Sequence, residues 1–248
     1  MPKIILKQGF KPRVCKPICS QPPAGNDMFH VDSRPKLFIT SFYMDNIPPE
    51  ALKAQRDVVS MFGNHVEQVR FDDSHQEAID RFLSCLSWGP LDRVLILDVD
   101  AVPVRADSVR RLLEIIDRGH LVGCAQTANH KRKDHVYAGP FCVGLARETW
   151  ERLGRPSFGN TGRSDVGEEL TWKAEEKGVP FTLLLPTSIE SPRWNLAGGG
   201  KFGLGTGYGL DGVELFWHAF ESRYDSDRFI RKCGELIKIN SYSIRVKT

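Results

Sequence analysis

Apolar and polar positions alternate along the chain in a way that predicts strands separated by helices from residue 36 to residue 126. The predicted strands are 36–43, 66–71, 93–100 and 121–126, which are rich in apolar and β-branched residues. The predicted helices are 48–63, 74–89 and 106–119, and they carry helix start and stop signals such as the Ser74–Glu77 capping-box spacing. This alternation predicts right-handed βαβ units and an open, mainly parallel, Rossmann-like α/β sheet flanked by helices.

The pattern after residue 126 is less regular and predicts a smaller, irregular half of the same globular domain. It contains a strand followed by a short helix at 138–154, a helix at 164–178 and a strand at 180–186. The segment 197–212 contains eight glycines and predicts a flexible loop able to close over a ligand. We therefore divide the chain into four parts: an extended, proline-containing N-terminal arm at 1–34, a regular half at 35–126, an irregular half at 127–225 and a C-terminal tail at 226–248.

Composition and charge indicate an ordinary globular protein. The chain has 248 residues, of which 41% are hydrophobic and 26% charged, so it is long enough to bury a substantial core. A net charge of +3 is too small to indicate a nucleic-acid partner. We expect no transmembrane segment and no signal peptide, although peripheral contact with a membrane stays open. Six scattered cysteines predict a reduced, cytoplasmic protein without disulfides.

Two aspartates, Asp98 and Asp100, end the apolar strand at 93–100. Ligands of open α/β sheets bind beyond the carboxyl ends of the strands, and carboxylate oxygens suit Mn²⁺ and Mg²⁺. The string at 98–102 also fits the motif of haloacid-dehalogenase-like phosphatases, in which the first aspartate attacks phosphorus. The second acidic pair which that family needs is missing after residue 104, and the motif normally opens the fold. A third interpretation is a pair of solvated carboxylates.

The layout from about residue 36 to residue 223 resembles the GT-A fold of nucleotide-sugar-dependent glycosyltransferases, in which a D-x-D motif ends a central strand. The resemblance implies that 35–126 binds a nucleotide sugar and that 127–225 binds the acceptor and carries catalytic groups. It also implies that Asp98 and Asp100 hold Mn²⁺ or Mg²⁺, with Asp100 as the direct ligand. His218, which follows the glycine-rich segment, is implied as the third ligand. The ion would stabilise the diphosphate leaving group.

The resemblance implies further site residues. The segment from Asp165 to Gly178 resembles the acidic motif of inverting glycosyltransferases, which makes Glu169 the first candidate for the general base and Glu168 and Asp165 the alternatives. Acidic residues at a helix start are equally well explained by the helix dipole. The expected donor-binding residues are Thr40, Ser41, Phe42, Tyr43, Asp72, Asp98 and Arg223.

The expected reaction is transfer of a sugar, expected to be hexosyl, from a nucleoside diphosphate sugar to a hydroxyl group. The expected nucleotide is UDP or GDP, and the acceptor is a glycan, a lipid-linked saccharide or a protein. A phosphatase and a non-catalytic GT-A-like binding protein stay open as alternatives. Sugar nucleotidyltransferases are set aside, because residues 40–46 lack the glycine-rich, basic loop that those enzymes place after the first strand.

Overall fold

The computed structural model describes residues 35–245, so the predicted N-terminal arm at 1–34 and residues 246–248 lie outside the described part of the chain. The strands are β1 Leu37–Tyr43, β2 Glu67–Arg70, β3 Arg93–Asp98, β4 Ala101–Pro103, β5 Leu121–Gln126, β6 Tyr137–Ala146, β7 Phe181–Asn195, β8 Lys201–Leu210 and β9 Val213–His218. The helices are α1 Pro49–Met61, α2 His75–Cys85, α3 Ser108–Ile116, α4 Arg147–Leu153, α5 Glu168–Lys177 and α6 Ser226–Arg245.

The first half of the chain forms the four strands and three helices that its pattern predicts, but the strand predicted at 93–100 ends at Asp98, and the short strand β4 was not predicted. Helices α1, α2 and α3 each lie within a predicted helical range. The Ser74–Glu77 capping box is present: the Ser74 hydroxyl accepts a hydrogen bond from the Glu77 backbone N–H at 3.3 Å. It satisfies backbone donors that a helix start leaves unpaired, and α2 therefore begins at His75.

The nine strands form one mixed sheet in the order β2-β1-β3-β6-β5-β7-β8-β9-β4. Strand β1 is parallel to β2 and β3, and β5 is parallel to β7, but the other neighbouring pairs are antiparallel. The prediction of a mainly parallel sheet is therefore wrong. Strand β6 follows β5 without a helical crossover, so it pairs with β5 antiparallel and lies between β5 and β3. Strands β3 and β5 still run in the same direction.

The glycine-rich segment is a buried strand over most of its length, so the prediction of a flexible loop is wrong there. Strand β8 lies between β7 and β9, and a Cβ atom at its Gly203 would come within 3.0 Å of the Pro192 Cα atom. Glycine permits this close approach of two backbones. Residues 198–200 alone form the glycine turn between β7 and β8, where all three φ angles are positive.

Hydrophobic side chains pack on both faces of the sheet and beneath the last helix. The region predicted as a C-terminal tail contains α6, whose Phe229 and Cys233 are buried against Val58 of α1 and Trp217 of β9. This packing fixes β9 and β4 against the body of the domain. Within residues 35–245, none of the helices is long and apolar enough to cross a membrane.

Candidate metal and nucleotide site

Strand pairing brings Asp98, Asp100 and His218 together, although the histidine is 118 residues from Asp100 in the chain. Asp98 is the last residue of β3, and the chain then turns through Asp100 into β4. Ala101 of β4 is the register partner of His218 in β9, and the Ala219 N–H donates to the Asp100 carbonyl oxygen at 3.0 Å. The position of His218 is therefore set by the backbone pairing of β4 with β9.

These three side chains form a cluster that could hold a metal ion. The His218 Nε2 atom lies 3.0 Å from Asp100 Oδ1 and 3.7 Å from Asp98 Oδ2. One ligand atom from each residue lies within 4.8 Å of the others. Asp100 and His218 are buried, whereas the Asp98 side chain is 28% exposed. Two carboxylates and one imidazole suit Mn²⁺ or Mg²⁺ better than a thiolate-seeking metal.

Aromatic packing and a strained turn hold this cluster. The His218 ring stacks on Phe141 with 4.4 Å between ring centroids and lies 3.8 Å from the Phe220 ring. Phe220 and Glu221 both have positive φ angles, of 57° and 58°, which non-glycine residues seldom adopt. This turn brings the Ser222 N–H within 3.3 Å of Asp100 Oδ2, to which it donates.

The two carboxyl groups differ in their pKa because their neighbours differ. Burial raises the pKa of Asp98, and repulsion from Asp100 adds to this, while His75 and His218 oppose it. Burial also pushes the pKa of Asp100 upward, but His218 and Ser222 together outweigh it, and the net pKa of Asp100 is lowered. A divalent cation bound beside the two carboxyl groups would favour the ionised form of both.

His75 also lies at the site, although it was not among the residues predicted from the sequence. Its Nε2 atom lies 3.5 Å from Asp98 Oδ1, and it is buried without a hydrogen-bond partner among the described residues. The ring is stacked on Phe71 and meets Phe42 edge to face, with centroid separations of 5.8 Å and 6.1 Å. The sequence feature that could have identified His75 is its position as the first residue of a capped helix that follows the end of a strand.

A cavity of about 320 Å³ opens in front of the cluster at the carboxyl ends of β1 and β3. Three of the predicted donor-binding residues line it in addition to Asp98, namely Phe42, Tyr43 and Arg223. Thr40 and Ser41 are fully buried within β1, and Asp72 is exposed and paired with Arg70 at 2.8 Å.

The three acidic candidates for a base have different surroundings. Glu169 forms an ion pair with Arg163, which holds the pKa of its carboxyl below the usual range. Glu168 is completely buried and lies 2.7 Å from His135 Nδ1, and its other oxygen accepts from the Asp165 N–H at 2.7 Å. Asp165 lines a second cavity, of about 280 Å³, and its Oδ2 atom lies 3.8 Å from His130 Nε2 and 3.5 Å from the Tyr137 hydroxyl, which donates to it.

The second cavity adjoins the first, because Phe220 lines both. It lies at the end of β5, where Gln126 and Asn129 contribute to its wall. Lys131, which follows the cavity residue His130 in the chain, donates from its ammonium group to the carbonyl oxygen of Thr161 at 2.9 Å.

Comparisons with known proteins show no family. No protein-family model matches the chain, and no curated protein matches it by sequence. Among solved structures it is similar to A197 from STIV, at 12% identity and a TM-score of 0.40, covering 75% of this chain and 95% of that one. It is also similar to a putative glucose-1-phosphate thymidylyltransferase from Bacillus anthracis, in complex with a sucrose (9%, TM-score 0.34, covering 60% and 87%). A third is a glycosyltransferase involved in the glycosylation of the major capsid of PBCV-1 (12%, TM-score 0.34, covering 62% and 85%). These likenesses are too distant to assign a function, and the functional conclusions below rest on the site.

Proposed function

We propose that this chain is a divalent-metal-dependent glycosyltransferase that uses a nucleoside diphosphate sugar. The observation that carries the proposal is the Asp98–Asp100–His218 cluster in the wall of a cavity at the carboxyl ends of parallel strands. That edge is where open α/β sheets bind ligands. The negative charge of a diphosphate can approach two carboxylates only through a cation, so an acidic cluster at this place favours a metal-bridged substrate.

The proposed cation is Mn²⁺ or Mg²⁺, held by Asp100 and His218 with Asp98 completing the set. When bound, such an ion stabilises negative charge on a departing diphosphate. Tyr43 of β1 offers aromatic surface for the base of the nucleotide, with the buried Phe42 behind it in the cavity wall. Arg223 lies exposed at the cavity wall, where it can pair with a phosphate. We expect UDP or GDP as the nucleotide.

Asp165 is the acidic residue that we propose as the general base. A base must reach the acceptor hydroxyl and must be free to take its proton. The Glu169 carboxylate is occupied by Arg163 and Lys173, and Glu168 is buried against His135. Asp165 faces a cavity, and its Oδ1 atom is oriented by the Val166 N–H at 2.8 Å. Glu168 then acts as a positioning residue, because it accepts the hydrogen bond from the Asp165 backbone.

The test is an Asp100→Asn variant assayed with a panel of UDP- and GDP-sugars and Mn²⁺. We expect release of nucleoside diphosphate to fall by roughly 100-fold, because one charged ligand is lost while size and shape are kept. The matched control is Asp134→Asn, since this carboxylate is 75% exposed and ion-paired with Arg132. Full metal-dependent turnover in a folded Asp100→Asn protein would overturn the proposal.

A further inference from the structure

We infer that the second cavity, lined by Gln126, His130, Asp165, Trp194 and Phe220 among others, binds the acceptor and that the acceptor is a saccharide. This inference rests on the proposed function. It narrows the acceptor class, because the hydroxyl group that receives the sugar would belong to a sugar ring and not to a lipid or a protein side chain.

The topology of the sheet places the second cavity beside the first. Strand β6 is antiparallel to both β3 and β5, so β3 and β5 run in the same direction and end at the same edge. Asp98 ends β3, and Gln126 ends β5. The side chain of Phe220 forms part of the wall of each cavity. A ligand in the second cavity is therefore a neighbour of a donor bound at the metal cluster.

One wall of the cavity is aromatic and matches the apolar face of a sugar ring. Trp194 lies 5.4 Å from both Phe202 and Phe220, measured between ring centroids, and the two phenylalanine rings are 5.9 Å apart. Phe202 is buried and fixes this wall from behind, whereas Trp194 is only half-buried. The C–H face of a pyranose packs on such an aromatic surface, while the hydroxyl groups project outward from the edge of the sugar ring and stay free to form hydrogen bonds.

The polar groups of the cavity match sugar hydroxyls. The Gln126 Oε1 atom is buried and has no hydrogen-bond partner among residues 35–241, which costs free energy until a donor arrives. Asp165 adds carboxylate oxygens, and His130 Nε2 lies 3.8 Å from one of them. Asp165 already accepts from the Val166 N–H at 2.8 Å and from the Tyr137 hydroxyl at 3.5 Å, and its oxygens have room for a further donor. A sugar hydroxyl can donate to Gln126 and another to Asp165, whereas an acyl chain offers no donor to either.

The size of the cavity agrees with a single sugar ring. Its volume of about 280 Å³ is at the lower limit of small-molecule sites. Its rim is held in place, because the Asn129 side chain donates to the Asn195 carbonyl oxygen at 2.9 Å and accepts from the Asn195 N–H at 3.2 Å. These bonds tie the turn after β5 to the end of β7, which carries Trp194.

In the inferred reaction, the acceptor hydroxyl oxygen forms a bond to the anomeric carbon of the donor sugar. Its O–H bond breaks, and the Asp165 carboxylate takes the proton. The bond between the anomeric carbon and the diphosphate oxygen breaks, and its electron pair leaves with the nucleoside diphosphate. Both substrates are supplied from solution, and no oxidant or reductant is involved.

The test measures saccharide binding to the full chain without donor or metal, using ligand-observed NMR and a panel of methyl α- and β-pyranosides. We expect saturable binding of at least one pyranoside. Trp194→Ala should weaken it by about 10-fold or more, because the stacking surface is lost. Gln126→Leu keeps a similar volume and should also weaken binding, which covers the case in which Trp194→Ala fails to fold. Tyr224→Ala is the control, since Tyr224 is an aromatic residue that is 76% exposed and does not line this cavity.

Parallel thermal-shift measurements with nucleoside diphosphates and Mn²⁺ separate this inference from the proposed function. Nucleotide binding with no pyranoside bound by the wild type would overturn the acceptor inference and leave the proposed function standing. Pyranoside binding that is unchanged in Trp194→Ala and Gln126→Leu would also overturn it. Absence of nucleotide binding would instead overturn the proposed function.

Discussion

At the scale of single residues, the proposed site depends on side chains that come from separate segments and are held by specific contacts. Asp98 and Asp100 were predictable because both lie in one short motif at a strand end. The role of His218 followed from a resemblance, and its distance to Asp100 could not be predicted, since the β4–β9 pairing that sets it is a long-range contact. His75 could not be selected, because nothing in its local sequence points toward Asp98.

We predict that His75 orients Asp98 and thereby affects the metal site without binding the ion itself. Replacing His75 with alanine should weaken Mn²⁺ binding by roughly 10-fold, the effect expected when a residue that supports a metal ligand is lost. His75→Gln should recover part of the affinity, because a glutamine amide offers an N–H donor toward Asp98 in place of the imidazole. The measurement is Mn²⁺ titration followed by electron paramagnetic resonance, with the exposed His65→Ala as control. Equal affinity in wild type and His75→Ala would contradict this role.

At the scale of elements, local sequence patterns predicted which helices and strands are present but did not predict which strands pair with each other. The three helices and four of the five strands of the first half were recognisable, because their start signals and apolar runs are local; the three-residue strand β4 was not. The position of β6 between β3 and β5 was not, because it is decided by pairing across the sheet. Strand β8 was not predicted because of its glycine content. Glycine usually disfavours strands, but in β8 it permits the neighbouring strands β7 and β9 to approach the β8 backbone closely.

We predict that Gly203→Ala destabilises the protein and that Gly234→Ala does not. A Cβ atom at Gly203 would lie 2.7 Å from the Arg193 backbone nitrogen, so the strands would have to separate, at a cost of about 1–3 kcal/mol. Gly234 is exposed in α6 with no atom within 4 Å of such a Cβ, and alanine there should stabilise the helix by about 1 kcal/mol. Urea denaturation of both variants measures the difference. Equal stability of the two would show that β7 and β8 are not packed as described.

At the scale of the whole molecule, Asp92 links the residue before β1 to the turn before β3 and so helps to position both strands. Its carboxylate accepts from the Lys36 N–H and the Gly89 N–H, each at 2.7 Å. Burial alone would raise the pKa of Asp92, but these two hydrogen bonds outweigh it and lower the pKa below its ordinary value of 3.8. A carboxyl with a lowered pKa in the folded state stabilises the fold above its unfolded pKa, and this contribution is lost as the pH falls through the folded value.

We therefore predict that Asp92→Asn lowers the free energy of unfolding at pH 7 and that the difference from wild type shrinks toward pH 2.5. The measurement is urea denaturation at both pH values, with the exposed Asp134→Asn as control for a general change in charge. A difference that stays the same at the two pH values would contradict the role assigned to the Asp92 charge.

We propose that Asp98, Asp100 and His218 bind a metal ion together with a nucleoside diphosphate. The most direct measurement is the melting temperature of wild type and Asp100→Asn with UDP, GDP, CDP or ADP, each with and without Mn²⁺. A ligand at about 100 times its dissociation constant stabilises a fold by about 2.7 kcal/mol, which is roughly 5–10 °C for a protein of this size. We predict that one nucleotide raises the melting temperature of wild type when Mn²⁺ is present and that Asp100→Asn does not respond. No response to any nucleotide, or an equal response in the variant, would contradict the claim.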